Sequence, residues 1–473
     1  MASVSVPDST LLDLVFGADA VGPTIEARAR TSKKRFVRSQ AQVALLTDRA
    51  KGLPINAAAA LELVGFDGLV RIVEDGAAVI NPSLNEPSQT IRAQRGELNV
   101  SHEEVARASG LTIAEVVKSE ERGSILPIRK LLRLGQTLGL DDDTLSAVPL
   151  AGADRELAYR LRTMQSSGTV RLSASLVLKL SEAAWVISKQ RKLAEMLDPD
   201  RAPPAFGASA DYSRPAWQRG WELAERARAL LGEDPLAPIP SIRALIDRIN
   251  IPLVQTQLGQ TFAGATIQNG DDRGIVVNVD GDNRNVWVRR ATLCHELGHL
   301  LWDPADQLQH LHVDRYEDFH TPHQSGIEAR ANAFAIAFLA PPKAVEEIVK
   351  QDLSPEEQVG LLMRKFGIAG TAARHHLANV SREWGRAIDT TNIRGELPTP
   401  DDEWTTNENW TADYFPIQGV PMDRSGRFAG LVAAAAQRDL ISMAYAAISL
   451  GVEESRIQGR LDTVVSLTAP DFA

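Results

Sequence analysis

The sequence predicts a mainly α-helical protein with one small β-sheet, an α+β architecture, and three observations predict it. Apolar residues recur three or four apart over much of the chain, as in Ile128, Leu131, Leu134 and Leu138, or Ile242, Leu245, Ile246 and Ile249. That spacing lines one face of a helix. Capping signals open helices where such runs begin, Ser101 with Glu104 being one. Only two stretches read as strands: PLVQTQL from position 252, and GIVVNVD at 274–280, whose Ile275, Val276, Val277 and Val279 suit a half-buried strand.

The 473 residues have the length of about three domains. With 44% apolar and 24% charged residues the chain can build a sizeable core, and wholesale disorder is not expected. Residues 1–87 form a first helical region, for example Phe36 to Ala50 and then AAAALELVGFDGLVRIVEDGA, with no chemical motif. NPSLNEPSQ, 81–89, reads as a linker into a second unit at 88–146. Residues 147–215 read as a helical connector ending in a linker at 198–215, where Pro199, Pro203, Pro204 and Pro215 interrupt the pattern. A larger unit spans 216–388. It carries helices at Trp217–Leu231 and Ser241–Asn250, the strand pair, two motif helices, and two short helices around Gly367. Residues 389–409 read as another linker, and the 389–473 region closes with helices at about 427–449 and 453–467.

The start of the chain lacks the basic region and long apolar core of a secretory signal, so a cytoplasmic protein is expected. The apolar stretch 428–450 has Arg438 and Asp439 at its middle, costly in hydrocarbon, so a buried helix is expected and no membrane partner. Cys294 is the only cysteine, which excludes an intrachain disulfide and any cysteine-based zinc finger or iron–sulfur site. A net charge of −10 disfavours broad binding to nucleic acid and leaves only local basic surfaces for it.

Between Ile91 and Leu140, Ser101 with Glu104 opens a short helix through Ala108, Ser109-Gly110-Leu111 makes a tight turn, and Thr112 caps a second helix carrying Ile113, Val116 and Val117. Ile128, Leu131, Leu134 and Leu138, with Leu132 beside them, would close a bundle over the pair. This segment resembles the Cro/C1-type (XRE) helix-turn-helix family. The resemblance implies that the second helix enters the major groove, with Thr112, Ala114, Glu115, Lys118 and Ser119 near bases. Eight basic and six acidic side chains between 91 and 140 leave a small surplus for phosphate contacts, so a fold that holds a partner or forms a homodimer is the alternative.

The sequence ATLCHELGHLLWDP, 291–304, contains His295-Glu296-Leu297-Gly298-His299. Imidazoles four apart share one helical face and can chelate one ion. The pentapeptide alone is equally the surface of an ordinary helix. Catalytic zinc takes three protein ligands and keeps a fourth position for water, so a further donor is needed. GIEARANAFAIAFLAPP supplies a candidate: Ile327, Ala331, Phe334 and Phe338 mark a largely buried helix, and Glu328 lies beside that stripe, where an unpaired carboxylate would be destabilising.

HELGH followed by EARANAFAIAFLAP resembles the ImmA/IrrE family of metallopeptidases, a gluzincin-like group, over about Ala224 to Val380. The resemblance implies His295, His299 and Glu328 as ligands of Zn2+ and Glu296 as general base. Asn332, one turn after Glu328, is a candidate to hold that carboxylate. Six of the nine histidines fall between 295 and 323, and His310, His312, His320, His323 and Tyr316 are candidates to stabilise an oxyanion. The resemblance also implies a zinc endopeptidase acting on a specific regulatory protein such as a helix-turn-helix repressor, with the fused upstream domain aiding targeting. The alternative is a DNA-binding regulator or antitoxin-like protein whose metal domain grips a partner without cutting it.

Overall fold

The computed structural model describes residues 9–38, 53–77, 86–121, 126–140, 152–166, 171–198, 214–269, 272–303, 312–316, 326–393, 395–408 and 417–468, with 124, 142, 145, 203, 204, 206 and 207 between them. They divide into two compact units, 1–174 and 175–473.

The first unit opens with α1 (Ser9–Phe16), α2 (Ile25–Thr31), an antiparallel pair β1 (Arg35–Arg38) and β2 (Leu53–Asn56), and α3 (Ala57–Asp75). Phe36, expected to start a helix, instead pairs with Ile55 in β1. It is buried while Val37 is exposed, the alternation a strand imposes; positions 39–50 of that expected helix lie outside the described residues. Gly65, at φ 68°, breaks α3 into two helical pieces. Next come α4 (Glu86–Leu98), α5 (His102–Ser109), α6 (Ile113–Ser119), α7 (Ile128–Thr137) and α8 (Gly152–Ser166). Helix α4 starts inside the stretch read as a linker, because Ser88, Thr90 and Ile91 are buried. Both short helices carry capping boxes, Ser101 with Glu104 and Thr112 with Glu115, and Gly110 ends α5 in the left-handed region.

The second unit begins with α9 (Ala174–Leu197), followed by α10 (Ala216–Leu230) and α11 (Ile242–Arg248). A four-stranded sheet is built from β3 (Leu253–Thr256), β4 (Phe262–Asn269), β5 (Asp272–Asn278) and a later β6 (His312–Arg315), ordered β3-β5-β4-β6. β3 runs parallel to β5, and β4 is antiparallel to both β5 and β6. Between β5 and β6 lies the motif helix α12 (Val286–Trp302), buried along most of its length. After β6 come α13 (Gly326–Leu339), α14 (Pro342–Val349), α15 (Pro355–Phe366), α16 (Gly370–Glu383) and α17 (Asp402–Glu408), then α18 (Arg427–Gln437), α19 (Met443–Leu450), α20 (Glu454–Ile457) and α21 (Leu461–Thr468).

One apolar core joins α10, α11, the sheet, α12 and α13 to α16. Two glycines permit its closest approaches. A Cβ at Gly298 would stand 2.7 Å from the Phe334 ring, and one at Gly220 only 2.5 Å from the Arg330 carbonyl, so α13 is held tightly between α12 and α10.

Three expectations are corrected in this unit. The second half of the connector, α9, is packed into this unit: Gln190 Nε2 donates to the Leu253 carbonyl (3.0 Å) and Trp185 packs edge-on against Phe428. The stretch 389–409 is not a free linker, because Glu408 at the end of α17 is fully buried and paired with Arg290 of α12. The expected 427–449 helix is two helices, α18 and α19, separated at Asp439, which takes φ 57°. Among the described residues no helix is long and apolar enough to cross a membrane.

Candidate metal centre

Helix α12 carries the centre because one face must satisfy the core and the next face the sheet. Leu293, Leu297, Leu300 and Leu301 are buried in the core, while His295, Glu296 and His299 are also almost wholly withdrawn from water. Cys294 sits in the core as a small apolar group, its thiol pushed well up by burial.

His295 Nε2 and His299 Nε2 stand 3.0 Å apart with their rings nearly perpendicular. Glu328 Oε2, from α13, lies 3.3 Å from the first and 3.6 Å from the second. A tetrahedral ion with donors about 2.1 Å away sets those donors about 3.4 Å apart. Two imidazole nitrogens and a carboxylate oxygen at this spacing fit such an ion.

The surroundings reinforce the fit. His299 Nδ1 donates to Asp303 Oδ2 (2.6 Å), which fixes the tautomer and leaves the Nε2 lone pair facing the cluster. Asp303 is in turn gripped by Arg330 of α13. Although burial opposes a charge on His295, the Asp314 and Glu328 carboxylates lift its imidazole to about 10, so the pocket favours a cation.

Glu296 points beside the cluster. Its Oε2 accepts from the Thr266 hydroxyl of β4 (2.6 Å), while Oε1, also buried, accepts no hydrogen bond. Burial and the neighbouring Asp314 carboxylate push its pKa well above the ordinary range. Gly264 on β4 makes room for it, since a Cβ there would lie 2.8 Å from Glu296 Oε1.

Sequence reasoning missed Asp314, Asp303, Thr266 and Gly264. Asp314, on β6, has Oδ2 3.5 Å from His295 Nε2, and ligand atoms of His295, His299 and Asp314 all fall within 4.8 Å of one another. Two carboxylates therefore stand beside the imidazoles. Glu328 makes the closer approach to both rings. Asp303 was findable, because it lies four residues after His299 on the same helical face.

Other predicted residues go elsewhere. Tyr316 is buried, and its one hydroxyl proton is given to the Asp280 carbonyl (2.7 Å) while the oxygen accepts from the Asn283 N–H, so it has no donor left for an oxyanion. It ties down the turn before α12. Asn332 is half-buried one turn along α13 from Glu328. His312 opens β6 opposite Thr266; His310, His320 and His323 lie outside the described residues.

In the first unit the predicted base-contacting set divides. Ala114, Lys118 and Thr112 are exposed, whereas Ser119 is buried and donates to the Val116 carbonyl (2.6 Å). Glu115 is occupied by the cap of Thr112 and by Lys130. Ile113 and Val117 are exposed, and so is Ile128, expected to help close the bundle over the pair.

A helix-borne pair of imidazoles, a carboxylate from a second helix and a buried glutamate beside a sheet define a metallopeptidase-like centre. Residues 275–378 match the family model described as the IrrE N-terminal-like domain of the M78 peptidases. The match spans the second half of β5, α12, β6 and α13 to most of α16, and therefore His295, Glu296, His299, Asp314 and Glu328, while Gly264 and Thr266 of β4 lie before it. It implies a bound metal and a protein substrate. No curated protein gives a significant match to the chain.

Proposed function

We propose that the chain is a zinc-dependent endopeptidase that cleaves a specific regulatory protein, such as a helix-turn-helix repressor. The observation that carries this reading is the convergence of His295 Nε2, His299 Nε2 and Glu328 Oε2 within 3.0–3.6 Å, with Glu296 alongside. His295, His299 and Glu328 would hold the ion. When bound, zinc supplies Lewis-acid polarisation of the scissile carbonyl and lowers the pKa of the attacking water towards about 7.

The protein's own contribution is proton handling in a dry site. Glu296 Oε1 is the acceptor for the proton of the attacking water, and the same carboxyl then delivers it to the leaving amine. Thr266 anchors Oε2, so the carboxylate cannot swing onto the metal ligands. A raised Glu296 pKa favours the first half of this task, since a more basic carboxylate takes up a proton more readily.

The test compares wild type with Glu296→Gln on a small helix-turn-helix regulator, with mass spectrometry of the products and metal analysis of the enzyme. The variant is expected to keep its metal and lose about 10²–10⁴-fold in cleavage rate. Unchanged cleavage by Glu296→Gln would sink the reading.

A second reading is favoured by the two capped short helices α5 and α6: a DNA-binding regulator or antitoxin-like protein in which the metal domain grips a partner. Footprinting on the gene's own upstream region discriminates, and a protected site lost in Lys118→Ala is the outcome that supports it.

A further inference from the structure

Strand β6 covers the free edge of β4, the strand that also presents Thr266 and Gly264 to Glu296. Asp314 pairs with Gly264 across this ladder. Opposed residues of an antiparallel pair share one face of the sheet, so Asp314 lies on the same face as Gly264, the face that meets Glu296 and Thr292 of α12. Its Oδ2 is 3.5 Å from His295 Nε2 and buried. A carboxylate oxygen this close to a candidate ligand imidazole competes with water for a place on the ion.

We propose that Asp314 is an internal fourth ligand, and that β6 fills the edge of β4 where an extended substrate would pair, so that this conformation is a latent form of the enzyme. The proposal rests on the metallopeptidase reading. Three protein donors leave zinc an open position, and a fourth closes it. An edge strand is an open template for a further strand, and an extended peptide reaching β4 would offer the same backbone groups that β6 offers now. The exchange is eased by the shortness of β6, four residues, and by the irregular register between Phe262 and Gly264. Substrate would then be taken up by strand exchange, with Asp314 leaving the site as β6 leaves the edge.

The test uses the full chain loaded with cobalt(II) and titrated with acetohydroxamate, followed by the visible absorption of the metal. Wild type is expected to resist the hydroxamate, while Asp314→Asn and Asp314→Ala take it up about tenfold more tightly or better, and both variants bind cobalt more weakly than wild type. Saturation of wild type at the concentration that saturates the variants overturns the proposal. The wild-type titration decides on its own if a variant fails to fold: hydroxamate binding at micromolar concentration overturns the internal ligand, and resistance at millimolar concentration supports it. A chain that takes up no cobalt overturns the metallopeptidase reading along with it, an outcome distinct from loading followed by ready hydroxamate binding.

Discussion

At the residue scale, the candidate centre depends on side chains outside its imidazole and carboxylate donors. Asp303 fixes the ring of His299 through Nδ1 at 2.6 Å, and Arg330 fixes Asp303 from the next helix. Asp303→Asn keeps the shape of the side chain but offers an amide in place of the carboxylate. Metal affinity is expected to fall about 10–100-fold, measured by competition with a chromogenic chelator, with the fold retained by circular dichroism. The donors on α12 were legible in the sequence, because spacing along one helix is a local property. Glu328 was legible as well, through the oddity of a carboxylate beside an apolar stripe. Asp314 was not, because its approach depends on the pairing of β6 with β4, and no local pattern around HVDR reveals that register.

At the element scale, α16 shows how a packed helix makes the unit sensitive to acid. His376 is buried against Trp221 with Nε2 donating to the Ala340 carbonyl at 2.8 Å. Burial, only partly opposed by that bond, depresses the imidazole to about 4 from 6.5. The folded value is the lower one, so the unfolded chain takes up this proton first. The stabilisation is complete above about pH 6.5 and is lost as pH falls towards 4, about 3 kcal/mol in all. His376→Gln retains a donor to Ala340 and removes the titration. Urea unfolding at pH 7 and 4.5 is expected to show the wild type losing more stability than the variant; equal losses would remove His376 from the account. The helices themselves were largely readable, since α5, α6, α15 and α16 follow local caps and turn glycines. The strand β1 and the break between α18 and α19 were missed for tertiary reasons: Phe36 is claimed by a partner strand, and Asp439 adopts a left-handed backbone that an apolar run conceals.

At the scale of the second unit as a whole, a segment far along the chain completes the core around the candidate centre. Glu408 accepts the backbone N–H groups of Ile242 (2.7 Å) and Arg243 (3.0 Å) at the start of α11 and pairs with Arg290 of α12, whose guanidinium also lies 4.4 Å over the Trp404 ring. A chain cut at 388 would leave Arg290 buried without its anion, at a cost of about 3–5 kcal/mol. Truncation there, or Glu408→Gln, is expected to lower the unfolding midpoint markedly; a soluble truncated chain with wild-type stability would contradict this placement. The central claim is that α12 and α13 together hold one catalytic metal. Metal content by mass spectrometry after equilibration with limiting zinc tests it most directly. One zinc per chain in wild type and in Glu296→Gln, with loss of the metal in His295→Ala and His299→Ala, is the predicted result; a wild type without stoichiometric metal, or histidine variants that keep it, would contradict the account.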